Sequence, residues 1–186
     1  MRLAVFDLDY TVWKPEMYQL YGEPRLTQPS KRVSHEVLQE ARTAEHPKIL
    51  VDSSGTPIRV FAGAAHALAA INRLREEKDH DIRAAVASRT DEPQWARICM
   101  DYLVASDGST LSHCFGDLIE ISFGNKKEHF RRLQNKTGIP YEQMVFFDNE
   151  QYNVKSVQQL GVKCVYTPNG MMEEHWEEAK RLFGMN

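Results

Sequence analysis

Short apolar segments alternate with amphipathic ones over most of the chain. Residues 3–8 form an apolar run that only Asp7 interrupts, and such runs are typical of strands buried on both faces. Similar runs predict strands at 82–87, 115–123, 144–147 and 162–167. Apolar residues at helical spacing predict helices at 64–78, 126–137, 150–160 and 172–183, and a further helix that starts near 90–93 and reaches Tyr102. This order predicts an α/β fold, a Rossmann-like parallel sheet with helices on both faces.

Residues 14–60 do not follow this alternation. The segment is polar and rich in proline, and it contains a short amphipathic pattern at 30–44. Two β-branched segments, 49–51 and 58–61, flank a turn-forming stretch and predict a β-hairpin. We interpret 14–60 as a small flap inserted after the first strand of one domain spanning 1–186. A long insertion at this point would overhang the edge of the sheet and restrict entry to it.

Composition and charge narrow the class of protein. The chain has 186 residues, of which 42% are hydrophobic and 26% charged, as expected for one soluble domain. The net charge of −3 gives no indication of a nucleic-acid or anionic-membrane partner. No apolar run approaches the length of a membrane span, and Asp7 comes too early for a secretory signal. We therefore expect a cytoplasmic protein, with an organellar targeting segment upstream still open and the oligomeric state unknown.

Two acidic residues give the first indication of chemistry. Asp7 and Asp9 are two positions apart on a predicted strand, so their side chains leave the same face. Close, poorly solvated carboxylates repel each other, and a hard divalent ion such as Mg²⁺ relieves that repulsion. Ser88 and Asp148 end two other predicted strands, and a parallel sheet would bring them to the same edge. The alternative is that Asp7 and Asp9 only mark a surface turn.

Four segments in order carry a resemblance to a known superfamily. Phe6-Asp7-Leu8-Asp9-Tyr10-Thr11 resembles the D-x-D-x-[TV] signature of the haloacid dehalogenase (HAD) superfamily. The segments 85–90, 124–127 and 145–150 resemble its second, third and fourth motifs. Together with 136–148 and 160–165, they are similar to the magnesium-dependent phosphatase-1 family. The resemblance covers 1–13 and roughly 50–172, and 14–48 looks longer than the flap region of that family.

The resemblance implies a role for each matching residue. Asp7 would be the nucleophile that forms an aspartyl-phosphate, and Asp9 the general acid and base. Lys126 would supply a fixed positive charge, while the Ser88 hydroxyl and the Arg89 N–H would bind phosphoryl oxygens. Mg²⁺ would be held by three residues, with Asn149 in its outer coordination shell; the three are Asp7, Asp9 through its backbone carbonyl, and Asp148.

The same resemblance implies a function. We expect a Mg²⁺-dependent phosphomonoesterase that acts on a small phosphorylated metabolite or on phosphotyrosine. Members of the family are associated with phosphotyrosine and with sugar or glycated-sugar phosphates. The chain departs from the family pattern at Asn149, where a second Asp commonly follows the metal ligand. One negative charge fewer at this position predicts lower metal affinity, and Glu150 or Asn153 could take the outer-shell role.

Several alternatives remain open at the level of sequence. Lys127 competes with Lys126, although Gly-Asn-Lys126 fits the Gly-Ser-Lys pattern of the family better. Ser88 could instead cap the following helix. Trp13 is expected either in the core or at the substrate entrance, and we favour the entrance. Asp9 argues against a dehalogenase, which does not need that acid, but a phosphomutase and a binding module with a weakened site remain possible functions.

Overall fold

The computed structural model describes residues 1–27, 49–77 and 81–185. Within these ranges the strands are β1 (Leu3–Phe6), β2 (Trp13–Lys14), β3 (Arg25–Thr27), β4 (Ile49–Val51), β5 (Arg59–Val60), β6 (Arg83–Ser88), β7 (Ile119–Ile121), β8 (Met144–Asp148) and β9 (Lys163–Tyr166). The helices are α1 (Ala62–Glu76), α2 (Pro93–Tyr102), α3 (Leu111–Phe115), α4 (Lys126–Thr137), α5 (Gln151–Gln158) and α6 (Glu173–Leu182). Short 3₁₀ turns lie at Met17–Gln19 and Tyr141–Gln143.

Five strands form a parallel sheet in the order β7-β6-β1-β8-β9. At its centre Val5 is in register with Ala85 on one side and with Phe146 on the other. The chain builds β6 and β7 outward on one side of β1, then returns to add β8 and β9 on the other side. The order therefore reverses between β1 and β8, which is where α/β sheets bind their ligands. The predicted parallel sheet is confirmed.

Helices cover both faces of this sheet, as predicted. Alternate β1 residues point to opposite faces: Leu3 and Val5 pack in one cluster with α4 and α5, through residues such as Phe130 and Val157. Ala4 and Phe6 belong to the opposite cluster, which contains buried side chains of α1, α2, α3 and α6. Because both faces of β1 are buried, its sequence reads as a continuous apolar run.

Local signals explain why α4 has the bounds that the sequence predicts. The side chain of Asn125 accepts the backbone N–H of Glu128 at 3.0 Å and caps the start of the helix. Gly138 adopts a left-handed conformation with φ of 68° and ends it. The cap matters for the site, because Lys126 is the first residue of α4.

The strand predicted at 115–123 is wrong over most of its length. Its first residue instead ends helix α3, and only Ile119–Ile121 pairs with the sheet. The Thr110 side chain caps α3 by accepting the His113 N–H at 3.2 Å, and Gly116, at φ of 56°, ends it. A run of apolar and aromatic residues fits either a short buried helix or a strand, so the pattern alone did not separate them.

The segment between β1 and α1 contains two small antiparallel sheets, β2 with β5 and β3 with β4. The chain reverses between 49–51 and 58–61 as predicted, and the Ile58 N–H donates to the Leu50 carbonyl at 2.8 Å. One antiparallel bridge, Val51 with Pro57, joins these segments. Their longer ladders lie elsewhere, because β4 pairs with β3 and β5 pairs with β2. The predicted hairpin is therefore confirmed as a turn with a single bridge, and its main strand pairings are corrected, because hydrophobic alternation identifies strands but not their partners.

The short helix predicted at 30–44 lies outside the described residues. Among the helices that the structure does describe, none has the length and apolar character needed to cross a membrane.

Candidate active site

Three neighbouring strands bring polar side chains to the carboxyl edge of the sheet. Asp7 directly follows β1, Ser88 is the last residue of β6, and Asp148 is the last residue of β8. All three are buried, with exposed fractions of 7%, 1% and 0%. Lys126 reaches the same point from the start of α4 and is also buried. The structure thus brings together four of the residues that the sequence singled out.

Lys126 lies between the two buried carboxylates. Its Nζ contacts Oδ1 of Asp7 and lies 3.3 Å from Oδ2 of Asp148. It also donates a hydrogen bond to the Ala87 carbonyl at 2.5 Å, which fixes it at the end of β6. Lys127 points elsewhere and donates to Oε1 of Gln159 on the surface at 2.6 Å. The structure therefore places Lys126, rather than Lys127, in the site.

The buried charges in this site are not balanced by protein alone. Burial raises the pKa of Asp7, and the adjacent Lys126 ammonium only partly opposes that effect. Burial and the Asp7 charge together raise the pKa of Asp148 to about 7, again against the effect of Lys126. Two carboxylates share one cation in a poorly solvated site, an arrangement that an additional positive charge would stabilise.

The chemistry of these donors fits a hard divalent cation. Carboxylate and carbonyl oxygens are the ligands that Mg²⁺ prefers. Across the described residues, no group of three His, Cys, Asp or Glu side chains is arranged to hold a metal ion. A Mg²⁺ ion at this site would therefore be coordinated by the carboxylates of Asp7 and Asp148, by a main-chain oxygen, which Asp9 can supply, and by waters. Mg²⁺ commonly keeps several waters in this way.

Asp9 lies at the side of this buried centre and is held by Trp13. The indole Nε1–H of Trp13 donates to Oδ1 of Asp9 at 2.9 Å. A tight turn makes the contact possible: Tyr10 has φ of 53° and the Val12 N–H donates to the Leu8 carbonyl at 2.8 Å. Burial and the Asp7 charge raise the pKa of Asp9 to about 7, although the Trp13 bond favours its charged form.

Trp13 itself corrects a sequence expectation. We favoured a position at the substrate entrance, but its side chain is fully buried, in the same core cluster as Phe6. Its indole N–H nevertheless reaches Asp9, so Trp13 is a core residue that also orients a candidate catalytic group. A buried Trp needs a hydrogen-bond partner for its N–H, and the acid four positions earlier was the available signal.

Ser88 and Arg89 both line the cleft above these residues. The Ser88 hydroxyl oxygen accepts the Thr90 N–H at 3.3 Å. It does not cap the following helix, because α2 starts at Pro93 and Glu92 occupies the N-cap position. The geometry leaves the Ser88 side chain at the strand end, beside the lysine that bonds the Ala87 carbonyl.

Two asparagines and one threonine surround the end of β8, where Asp148 lies. The backbone N–H of Asn149 donates to the Thr11 hydroxyl at 3.0 Å. Asn153 donates from Nδ2 to both oxygens of Asp148, at 3.3 and 3.0 Å, and to Oε2 of Glu150 at 2.9 Å. The sequence suggested Asn153 only as a substitute in the outer shell. Its bonds to Asp148 show a direct role in orienting that carboxylate.

Comparisons with known proteins decide the family. A family model described as Acid Phosphatase matches residues 1–184. This chain belongs to the acid phosphatase family. It is 33% identical over 172 residues to Magnesium-dependent phosphatase 1 of Homo sapiens, covering 91% of this chain and 80% of that protein. It is 32% identical over 163 residues to a HAD-like hydrolase superfamily protein of Schizosaccharomyces pombe, covering 87% and 82%.

Solved structures share the fold of this acid phosphatase family member. A haloacid dehalogenase-like family hydrolase from Xanthomonas campestris has a TM-score of 0.55 at 18% identity, covering 97% of this chain and 91% of that one. The N-terminal part of protein BF1531 from Bacteroides fragilis, a phosphatase domain complexed with Mg, also has a TM-score of 0.55, at 17% identity, covering 100% and 40%. The resemblance and the HAD-like fold expected from the motifs are confirmed.

Proposed function

We propose that this chain is a Mg²⁺-dependent phosphomonoesterase that acts through an aspartyl-phosphate on Asp7. The class of enzyme rests on the family and on the relative named Magnesium-dependent phosphatase 1, which bear out the expected magnesium-dependent phosphatase. The observation that carries the mechanism is the position of Asp7. It lies at the carboxyl end of the central strand, in contact with Lys126 and across that lysine from Asp148.

The residues that would hold Mg²⁺ are Asp7, Asp148 and the main-chain carbonyl of Asp9. When bound, the ion supplies positive charge between the attacking carboxylate and the phosphoryl group, which otherwise repel each other. Asn153 orients Asp148 through its two hydrogen bonds, and Asn149 acts from the outer shell. These are the assignments that the sequence suggested, with Asn153 added.

The protein residues then divide the reaction into two steps. An Asp7 oxygen bonds to phosphorus while the bond from phosphorus to the leaving oxygen breaks, and Asp9 gives that oxygen its proton. Asp9 then takes a proton from water, whose oxygen bonds to phosphorus as the bond from Asp7 to phosphorus breaks. Lys126, the Ser88 hydroxyl and the Arg89 N–H bind the phosphoryl oxygens. Trp13 keeps the Asp9 carboxyl aimed into the cleft.

The cleft suits a small substrate. It has a volume of about 490 Å³ and is open to solvent. This size fits phosphotyrosine or the phosphate of a sugar or glycated sugar, the substrates that we propose. A cytoplasmic location and a single domain spanning 1–186 belong to the same proposal.

A direct assay tests the proposal. The purified protein should release phosphate from p-nitrophenyl phosphate with Mg²⁺, and a chelator should abolish the release. A panel of sugar phosphates, glycated-sugar phosphates and phosphotyrosine peptides would then rank substrates by kcat/KM. Isomerised sugar phosphate in place of free phosphate would indicate a phosphomutase. Phosphate binding without turnover of any substrate would indicate a binding module.

A further inference from the structure

Two exposed aromatic rings line the mouth of the same cleft that contains Asp7 and Lys126. Tyr18 is 68% exposed and Phe123 is 79% exposed. They come from different parts of the chain, Tyr18 from the segment after β1 and Phe123 from the loop between β7 and α4. Large aromatic side chains lose favourable contacts when they face solvent, so a pair of them at one cleft indicates a surface for a ligand.

Tyr18 is presented by a fixed turn. The turn Met17–Gln19 buries Met17, while Tyr18 at its centre faces outward. Glu16 and Gln19 close it reciprocally: the Gln19 N–H donates to the Glu16 carbonyl at 2.9 Å, and the Glu16 N–H donates to Oε1 of Gln19 at 3.1 Å. The ring is exposed on an ordered backbone, which limits the entropy lost when a ligand binds.

Phe123 is presented in a similar way. The preceding residue, Ser122, donates its N–H to the Ser88 carbonyl at 3.3 Å, which ties the loop to the end of β6. The Ser122 hydroxyl is bonded to Nε2 of the buried His129 at 3.0 Å and to Nη1 of Arg132 at 2.8 Å. The backbone below Phe123 is therefore anchored to α4, the same helix that carries Lys126.

The charged side chains around the two rings limit which class of ligand the cleft can accept. Besides Asp7 and Asp9, three further acidic side chains line the cleft, Glu16, Asp91 and Glu150. Among the described lining residues only Arg89 and Lys126 are basic. Lys126 is already committed to the buried carboxylates. Like charges placed together cost free energy, so the cleft mouth disfavours a leaving group that carries a further phosphate or carboxylate.

We propose that Tyr18 and Phe123 are specificity-determining residues that contact the ring of the leaving group and favour aryl phosphomonoesters without additional negative charge. The inference rests on the proposed phosphatase function and adds to it the residues that select the leaving group. Aromatic rings pair with a flat aryl group in stacked or edge-on geometry, which an acyclic alkyl group cannot reproduce. The aryl group can come from a free metabolite or from a phosphotyrosine peptide.

Steady-state kinetics with two substrates tests this selection. For wild type, Tyr18→Ala, Phe123→Ala and the double variant, kcat/KM is measured with p-nitrophenyl phosphate and with glycerol 2-phosphate. Each single substitution should lower the aryl-to-alkyl ratio of kcat/KM by about 5- to 10-fold, from the usual strength of one aromatic pair. Tyr18→Phe, which keeps the ring, should restore the ratio. Tyr152→Ala is the matched control, since Tyr152 is 76% exposed but does not line the cleft.

The outcomes separate this inference from the proposed function. A wild type that hydrolyses both substrates, with variants whose ratio equals that of wild type, would overturn the aromatic selection and leave the phosphatase intact. A wild type that releases phosphate from neither substrate would overturn both. Phenyl phosphate, whose leaving group is uncharged, and a phosphotyrosine peptide, assayed with the same variants, distinguish the two sources of the aryl group. A larger loss of kcat/KM with the peptide supports a phosphotyrosine protein as the substrate, and an equal loss with both supports a small aryl phosphate.

Discussion

The hydroxyl of Thr11 accepts the backbone N–H of Asn149 at 3.0 Å and lies 3.4 Å from the side-chain oxygen of the same residue. Thr11 lies in the turn after β1, and Asn149 directly follows β8. The contact therefore joins the two strands between which the sheet order reverses, where Asp7 and Asp148 must keep their separation. The signature threonine thus has a structural function that is independent of the chemistry.

Replacing Thr11 tests this connection. Thr11→Val keeps the shape of a fully buried side chain but removes both hydrogen bonds and leaves the Asn149 N–H without this partner. We expect the free energy of unfolding to fall by about 1–3 kcal/mol, measured by urea denaturation. Thr11→Ser, which retains the hydroxyl, is the control and should lose less. Equal stabilities for Thr11→Val and wild type would show that the contact contributes nothing.

The residues proposed to hold Mg²⁺ lead to a second prediction. Asp148→Ala removes a carboxylate that would bind Mg²⁺ directly, and we expect a steep rise in the Mg²⁺ concentration needed for activity. Asn149→Asp keeps an acceptor for the Thr11 hydroxyl and adds a negative charge near the ion, so activity should remain intact. Any change in the Mg²⁺ concentration needed for activity should be a decrease. Titrating activity against Mg²⁺ checks both variants. An unchanged titration curve for Asp148→Ala would remove it from the metal site.

Neighbouring lysines provide a matched pair for the third prediction. Lys126→Met removes the charge between Asp7 and Asp148, and we expect turnover to fall on the order of 10²- to 10³-fold. Lys127→Met removes only a surface contact with Gln159 and should stay within about twofold of wild type. Circular dichroism checks that both variants are folded. Comparable losses in the two variants would contradict the assignment of Lys126.

The carboxylate of Asp52 should make the free energy of unfolding depend on pH. Its buried carboxylate accepts the N–H groups of Tyr21, Ser54 and Thr56 at 2.8, 2.9 and 2.8 Å, and so closes the turn between β4 and β5. Burial alone raises the pKa of Asp52, but these bonds and the Ser54 hydroxyl outweigh it and hold the pKa below the ordinary 3.8. The stabilisation is therefore complete above about pH 4 and is lost as the pH falls through the folded-state pKa.

Asp52→Asn tests this dependence. The amide places an N–H donor where one carboxylate oxygen accepts a bond, so we expect the variant to be about 1–3 kcal/mol less stable near neutral pH. The difference from wild type should shrink as the pH falls below about 4, because the wild type then loses its carboxylate. Urea denaturation at several pH values measures it. A difference that stays constant across that range would show that Asp52 does not titrate with folding.

The sequence predicted the elements whose signals are local. Helix α4 has a capping Asn125 before it and Gly138 after it, and its predicted bounds are those of the structure. The carboxyl-edge residues were also accessible, because the apolar strands end at Asp7, Ser88 and Asp148 and a parallel sheet aligns those ends. Such features need only the chain near each residue and the general rules of α/β folds.

Features that depend on contacts between distant residues were harder to predict. The strand partners in the segment between β1 and α1 could not be read from alternation, since β4 pairs with a strand that precedes it by more than twenty residues. The indole of Trp13 points inward to Asp9 although its sequence position suggested the entrance. Asn153 bonds Asp148 from the first turn of α5, a contact that depends on how that helix follows its strand.

The most direct test of the central claim is to trap the phosphorylated enzyme. Wild type is mixed with a phosphomonoester labelled in its phosphate and with Mg²⁺, then quenched in acid during turnover. We predict a label on the peptide that contains Asp7, removed by hydroxylamine as expected of an acyl phosphate, and no label on Asp7→Asn, whose turnover should fall on the order of 10³-fold or more. Near-wild-type turnover by Asp7→Asn, or a label on another residue, would contradict nucleophilic catalysis by Asp7.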